Sequence, residues 1–354
     1  MHKFQAWRPD SLKDFEGQDA LKREIAVELA ASKQMMRPLC SAVFHGPPGL
    51  GKTSFAALLA KERGVPFIRV VGEGLKHEDL TRVLVEGFYQ HGCRAGYDMR
   101  GVLKSPEIAQ FPVLCIEECE KLNRGLQELF HTLLEPDNTE GILTFQAKYP
   151  DTGEIFTAWV PQFTPIFLTN YLGDMASRSN ATLTRFKIVR QFQWYDDNQA
   201  FKVVLKQASA NHLVITEDAA RLIAIRANGM PRTICNMLER AVDYMVTSGQ
   251  TEITPDTIQK LLVNLEIDRN GLDPAMRDYL QALADAPNGR LSLQSLSGVL
   301  GLDVKTLEIC VEPALQRRKL IVRGAGGRTI TAAGQALLDG PTQNFDVYRS
   351  ARLS

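Results

Sequence analysis

His45-Gly46-Pro47-Pro48-Gly49-Leu50-Gly51-Lys52-Thr53-Ser54 fits the pattern G-x-x-x-x-G-K-[ST] at every fixed position. Glycine at 46, 49 and 51 frees the backbone to curl, so that successive N–H groups face one anionic group. A helix starting near Lys52 adds its positive end, which makes the stretch a phosphate-binding loop. In that role Lys52 reaches the β- and γ-phosphates of a nucleoside triphosphate such as ATP, and Thr53 binds Mg²⁺. The flanks agree. Residues 41–44 read as a short buried strand and 53–61 as a helix, the frame such a loop requires.

Around this loop the sequence alternates strand and helix patterns. A helix is expected over 19–36, strands at 41–44 and 66–71, and a helix from about 78 to 87, after an irregular lead-in at 8–18. This is the βαβ rhythm of a parallel sheet covered by helices. Residues 91–111 carry neither period and read as an inserted loop. The apolar run 112–116 then ends in Glu117-Glu118. A buried parallel strand ending in two acids puts charge at its C-terminal edge, where ligands bind in open α/β sheets. Glu117 is the candidate for Mg²⁺, and Glu118 for orienting an attacking water.

Beyond a helix at 124–135, residues 141–160 read as two strands about an Asp-Thr-Gly turn, a hairpin whose aromatics are either core contacts or a partner surface. The strand 165–169 ends in Thr169-Asn170, beside the expected γ-phosphate. A strand ending at Tyr195 leads into an all-helical stretch over 197–264. There Gly229-Met230-Pro231-Arg232 opens a helix with an arginine that opposes the helix dipole, which anion binding explains and helix stability does not. Helices at 274–285, 292–298 and 304–315 and strands at 320–322 and 329–331 make a winged helix with a two-stranded wing. The run 315–331 holds five basic residues (Arg317, Arg318, Lys319, Arg323, Arg328) and no acid, so phosphate contact is expected there, or else a solvated wing.

Taken in this order, these motifs resemble the RuvB family of AAA+ Holliday-junction branch-migration motors, over about residues 8–338. The resemblance implies an α/β fold: an AAA+ P-loop parallel sheet at 1–195, a helical lid at 196–268, a DNA-binding winged helix at 269–338 and a tail at 339–354. It also implies a homo-hexameric ring acting on branched or double-stranded DNA. Arg8 and the loop residues Gly46, Pro47, Pro48, Gly49, Leu50, Gly51, Lys52, Thr53 and Ser54 would hold ATP, with Asn170 and Tyr195 beside the nucleotide. Arg232 matches the lid arginine that senses the γ-phosphate, and Arg185 the arginine finger that completes a neighbouring subunit's site. Arg323 and Arg328 match the wing arginines that touch DNA, and the 141–160 hairpin sits where the family meets its partner RuvA.

This chain departs from the family at its acidic strand end, Glu117-Glu118-Cys119-Glu120, where Asp-Glu-x-His is usual. The Mg²⁺-side carboxylate is one methylene longer, slow turnover is expected, and the chain reads as a divergent paralogue. Two other functions fit the same loop: a nucleotide-gated assembly factor acting on a protein, and a clamp-loader-like ATPase.

Charge and composition narrow the partners. The 41 basic and 41 acidic residues cancel, against a uniformly basic nucleic-acid coat. No apolar run reaches the length of a membrane span, and residues 1–9 lack the apolar core of a signal peptide, so a cytoplasmic protein without a membrane partner is expected. Six scattered cysteines without a C-x-x-C pair suit a reducing compartment. Cys115 and Cys119 are read as small apolar residues flanking a buried strand rather than as metal ligands.

Overall fold

Five short apolar segments line up in parallel in the computed structural model, which describes residues 4–84, 111–134, 142–148, 153–268, 270–324 and 326–339. They are β1 (Ala42–His45), β2 (Phe67–Val71), β3 (Val113–Glu117), β6 (Thr164–Thr169) and β7 (Ile188–Gln191), in the order β2-β3-β6-β1-β7. β3 and β6 lie inside the sheet with helices on its faces, which is why they read as unbroken apolar runs: Val113, Leu114, Cys115 and Ile116 are fully buried. Between them in sequence, β4 (Ile142–Lys148) and β5 (Ile155–Pro161) pair antiparallel as a separate two-stranded sheet. The expected hairpin is present. Its turn, most of its side chains and most of the 91–111 insertion lie outside the described residues.

These strands belong to one compact unit, Arg8–Gln193. On one side of its sheet Phe44, Phe55 and Phe192 meet at centroid distances of 5.6 Å, and Phe15 of the lead-in stands 5.0 Å from Phe55 at 79°. The lead-in is further tied down where Leu12 N–H donates to Glu62 at 2.8 Å and Lys61 reaches Asp10 at 2.5 Å. Both partners lie on the helix Lys52–Arg63 that follows the glycine-rich loop. On the other side Phe130 and Phe167 stack edge-on at 4.8 Å. Cys115 and Cys119 are enclosed in this packing, the Cys119 thiol donating to the Met175 sulfur at 3.6 Å, and burial pushes both thiols up.

The second unit takes Trp194–Ser354 together with residues 1–7, of which 1–3 are not described. Two sequence expectations change here. β7 ends at Gln191, not at Tyr195, whose N–H instead donates to Gly229 O at 3.2 Å. Residues 4–7 leave the nucleotide-loop unit: Gln5 and Trp7 donate backbone N–H groups to Asn211 and Gln207, each at 2.8 Å. The helices Asp197–Ala210, Glu217–Arg226, Pro231–Thr247 and Pro255–Asn264 start where the sequence supplies a cap, Asp196, Thr216 and Thr254 accepting from backbone N–H groups and Pro231 taking the first helical position.

Beyond them Pro274–Ala284, Leu293–Leu300 and the helical run from Val304 to Arg317 enclose Tyr279, Leu280, Leu296, Leu307 and Leu315. The wing has three strands, in the order β8 (Arg290–Leu291), β10 (Gly327–Ile330) and β9 (Ile321–Gly324), where two were expected. A two-residue strand carries too little alternation to read from sequence. A further helix, Ala332–Asp339, closes the fold.

Candidate nucleotide and nucleic-acid sites

The register of the sheet brings the phosphate loop and the two polar strand ends together. β6 is central, with Thr169 opposite His45 of β1 on one side and Leu168 opposite Glu117 of β3 on the other. The loop after β1, Asn170 after β6 and Glu117-Glu118 at the end of β3 therefore emerge from three adjacent strands at their C-terminal edge, the ligand-binding edge of such sheets. The loop glycines have φ of 128° (Gly46), 86° (Gly49) and 92° (Gly51), values that favour residues without a side chain. At Gly46 a Cβ would also approach Phe192 O to 3.1 Å.

Lys52 is folded into this cradle and only 8% exposed. Its ammonium donates to Gly46 O at 2.5 Å, Pro47 O at 2.9 Å and Asn170 Oδ1 at 3.0 Å. Carbonyl and amide dipoles thus hold a buried cation whose neutralisation by phosphate oxygens would be strongly favoured. Burial, followed by the nearby Lys52 charge, pulls the His45 imidazole below its usual range, so it is neutral at pH 7 and adds no positive charge.

The Thr53 hydroxyl, one residue on, donates to Glu117 Oε1. A hydroxyl and a carboxylate meeting at the phosphate loop are two hard oxygen donors, the set Mg²⁺ takes, so these residues fit that ion. Glu117 Oε2 accepts from Arg69 of β2, a residue that sequence reasoning missed. Gly72 was missed too. Its N–H donates to Glu117 O at 2.7 Å, and a Cβ there would stand 2.7 Å from Glu118 O, so only glycine admits the acidic strand end this close. Glu118 has a left-handed backbone, φ 52°, and its carboxylate meets Lys121 at 2.7 Å; Lys121 also holds Glu73 at 2.7 Å. These two carboxylates push the Lys121 ammonium up.

Three parts of the chain match RuvB domain descriptions: the Holliday junction DNA helicase RuvB P-loop domain over residues 7–88, the RuvB AAA lid domain over 195–268 and the RuvB C-terminal winged helix domain over 269–339. The chain belongs to the RuvB family. It is a P-loop ATPase of that family. Among curated relatives, the Holliday junction branch migration complex subunit RuvB of Rubrobacter xylanophilus is 31% identical over 338 residues, 95% of this chain and 88% of the relative. The RuvB of Pseudothermotoga lettingae is 29% identical over 337 residues, 95% of this chain and 90% of the relative. The solved Thermotoga maritima RuvB Holliday junction branch migration motor superposes with a TM-score of 0.75 at 25% identity, covering 96% of this chain and all of that one.

The remaining RuvB-type candidates fall in three places. Arg8 is exposed in the lead-in of the nucleotide unit. Arg185 follows the helix Leu172–Leu183, half-exposed, with its guanidinium donating to Ala181 O at 2.9 Å. Tyr195 and Arg232 belong to the other unit, Tyr195 buried and Arg232 exposed in the first turn of Pro231–Thr247.

At the wing the expectation of unopposed positive charge is corrected. Arg328 Nε meets Glu312 Oε1 at 2.7 Å and its Nη2 meets Glu308 at 3.2 Å, while Arg323 reaches Glu308 at 2.5 Å and Glu312 at 3.0 Å. Both acids lie upstream of 315, outside the run whose charge was counted. Glu312 is fully buried and also accepts from Tyr279 Oη at 2.6 Å. Arg317 turns inward to donate to Tyr195 O at 2.5 Å. Arg317 and Arg318 are half-buried, and burial pulls their guanidiniums below their usual range, whereas Lys319 and Arg323 are exposed.

Proposed function

We propose that this chain is an ATP-driven motor on branched DNA, working as a homo-hexameric ring with Mg²⁺ and a RuvA-like partner at the β4–β5 hairpin. The observation that carries the reading is the convergence of Lys52, Asn170 and the Thr53–Glu117 pair at one sheet edge, in a chain whose RuvB relatives align over 95% of it.

In this reading Lys52 exchanges its loop carbonyls for β- and γ-phosphate oxygens, and the backbone N–H groups of residues 46–54 cradle the rest. Thr53 and Glu117 would hold Mg²⁺, whose positive charge would offset the charge developing on the transferring group. Glu118 leaves Lys121 to orient the attacking water, and Asn170 donates its side-chain amide N–H to a γ-phosphate oxygen. Arg8 and Tyr195 flank the nucleotide. Arg185 of a neighbouring subunit stabilises charge on the transferring phosphoryl group, and Arg232 passes the state of the γ-phosphate to the helical lid. Arg323, exposed on its outer side, grips a DNA phosphate, while Arg328 acts behind it by holding the wing in shape. The RuvB relatives matched over most of the chain favour this reading over the assembly-factor and clamp-loader alternatives.

A shared active site has a distinctive test. Arg185→Ala alone should lower turnover by about 10³ or more and spare ATP binding. Lys52→Ala alone should abolish binding. Mixing the two variants should restore part of the activity, because some interfaces then pair an intact loop with an intact finger. No recovery at any mixing ratio refutes the shared site.

A further inference from the structure

We propose that Arg69 is a positioning residue that clamps Glu117 and so weakens the hold of this site on its divalent cation. The inference rests on the reading above that Thr53 and Glu117 face Mg²⁺. β2 and β3 run in parallel with Arg69 opposite Cys115 and Val71 opposite Glu117, so the guanidinium starts two residues short of the acid and spans that gap along the strand direction. It ends on Glu117 Oε2 while Thr53 takes Oε1, so both carboxylate oxygens are engaged. The longer arm of Glu117, where the family usually has aspartate, lets one carboxylate reach both partners. Burial is unequal within the pair: the Glu117 side chain is 15% exposed and that of Arg69 56%, so the acid is fixed and the cation is the part that can leave. A guanidinium stays protonated at every working pH, so Arg69 keeps its positive charge.

An incoming Mg²⁺ then meets a carboxylate already neutralised on one oxygen and a positive charge beside it. It must displace the guanidinium or bind through one oxygen against that repulsion. Either route raises the Mg²⁺ concentration needed. Solvent around Arg69 screens the effect, which sets it at about threefold to tenfold rather than orders of magnitude.

The test uses the full chain and a fluorescent N-methylanthraniloyl ADP at fixed concentration, with anisotropy followed during Mg²⁺ titration. Free Mn²⁺ counted by electron paramagnetic resonance gives a second readout independent of turnover. Arg69→Ala should lower the half-saturating Mg²⁺ concentration by about threefold to tenfold. Arg69→Lys, which keeps the charge without the fork, should fall between the variant and wild type. Nucleotide affinity in EDTA should be the same for all three, and a thermal melt reports whether this edge strand has stayed intact. A half-saturation point unchanged or raised in Arg69→Ala overturns the inference while leaving the metal site standing. Wild-type nucleotide binding that is indifferent to Mg²⁺ and to Thr53→Ala overturns the metal-site reading itself, and the inference with it.

Discussion

Replacing Arg328 by alanine strips the main counter-charge from a carboxylate with no access to water. Glu312 is fully buried, and Arg328 is only 14% exposed where it meets Glu312 at 2.7 Å. Breaking a pair of this kind costs about 3–5 kcal/mol, because the surviving charge stays in a low-dielectric site. Three partners remain and reduce the loss: Arg323 at 3.0 Å and the Gln316 amide at 3.3 Å on one oxygen, and Tyr279 Oη at 2.6 Å on the other. Since Arg323 is 43% exposed, its attraction is screened, and Arg328→Ala should cost about 2–3 kcal/mol. Removing both arginines should reach the full 3–5 kcal/mol or so. Adding Glu312→Gln to Arg328→Ala should recover part of it, because a neutral amide no longer needs a counter-ion. Urea denaturation of the full chain followed by far-UV circular dichroism reads this as a shift in the winged-helix transition. If Arg328→Ala moves stability by less than about 0.5 kcal/mol, the usual effect of a surface substitution, the buried-buttress account is wrong. The same experiment decides how wing variants are read on DNA: only Arg323→Ala, whose loss leaves Arg328 on Glu312, measures phosphate contact without wrecking the wing. In that variant DNA affinity should fall alike on different sequences, and the salt slope should drop by about one unit.

Two further outcomes follow from the strand-end geometry. Glu118→Gln should keep ATP binding and lower turnover by about 10² or more, measured by phosphate release, and unchanged turnover refutes its role with water. Gly72→Ala drives a methyl group to 2.7 Å from Glu118 O, so it should displace the acidic strand end and reduce turnover with Mg²⁺ while nucleotide affinity in EDTA changes little; a variant that turns over like wild type counts against that close approach.

The phosphate loop was legible because its chemistry is local: ten consecutive residues contain the glycines, the lysine and the hydroxyl, and the flanking patterns gave a strand and a helix, now β1 and Lys52–Arg63. The acids after β3 and Asn170 after β6 were legible for a related reason, since a polar residue ending a buried parallel strand has one edge of the sheet to occupy. What the sequence hid was pairing across elements. Arg69 and Glu117 are 48 residues apart and meet only through strand register, and nothing in either neighbourhood announces it. Glu312 and Arg328 are 16 apart, and a count confined to the wing saw the arginines without the acid below them. Residues 4–7 were counted with the nucleotide domain at 1–195 because their partners, Gln207 and Asn211, lie some 200 residues away.

The central claim is that hydrolysis at this site is coupled to DNA, and steady-state phosphate release measured with and without a synthetic four-way junction tests it most directly. The account predicts turnover that rises strongly when the junction is added, abolished by Lys52→Ala and by Glu118→Gln. Tight ATP binding with negligible turnover that the junction leaves unchanged would contradict it and favour a nucleotide-gated switch acting on a protein.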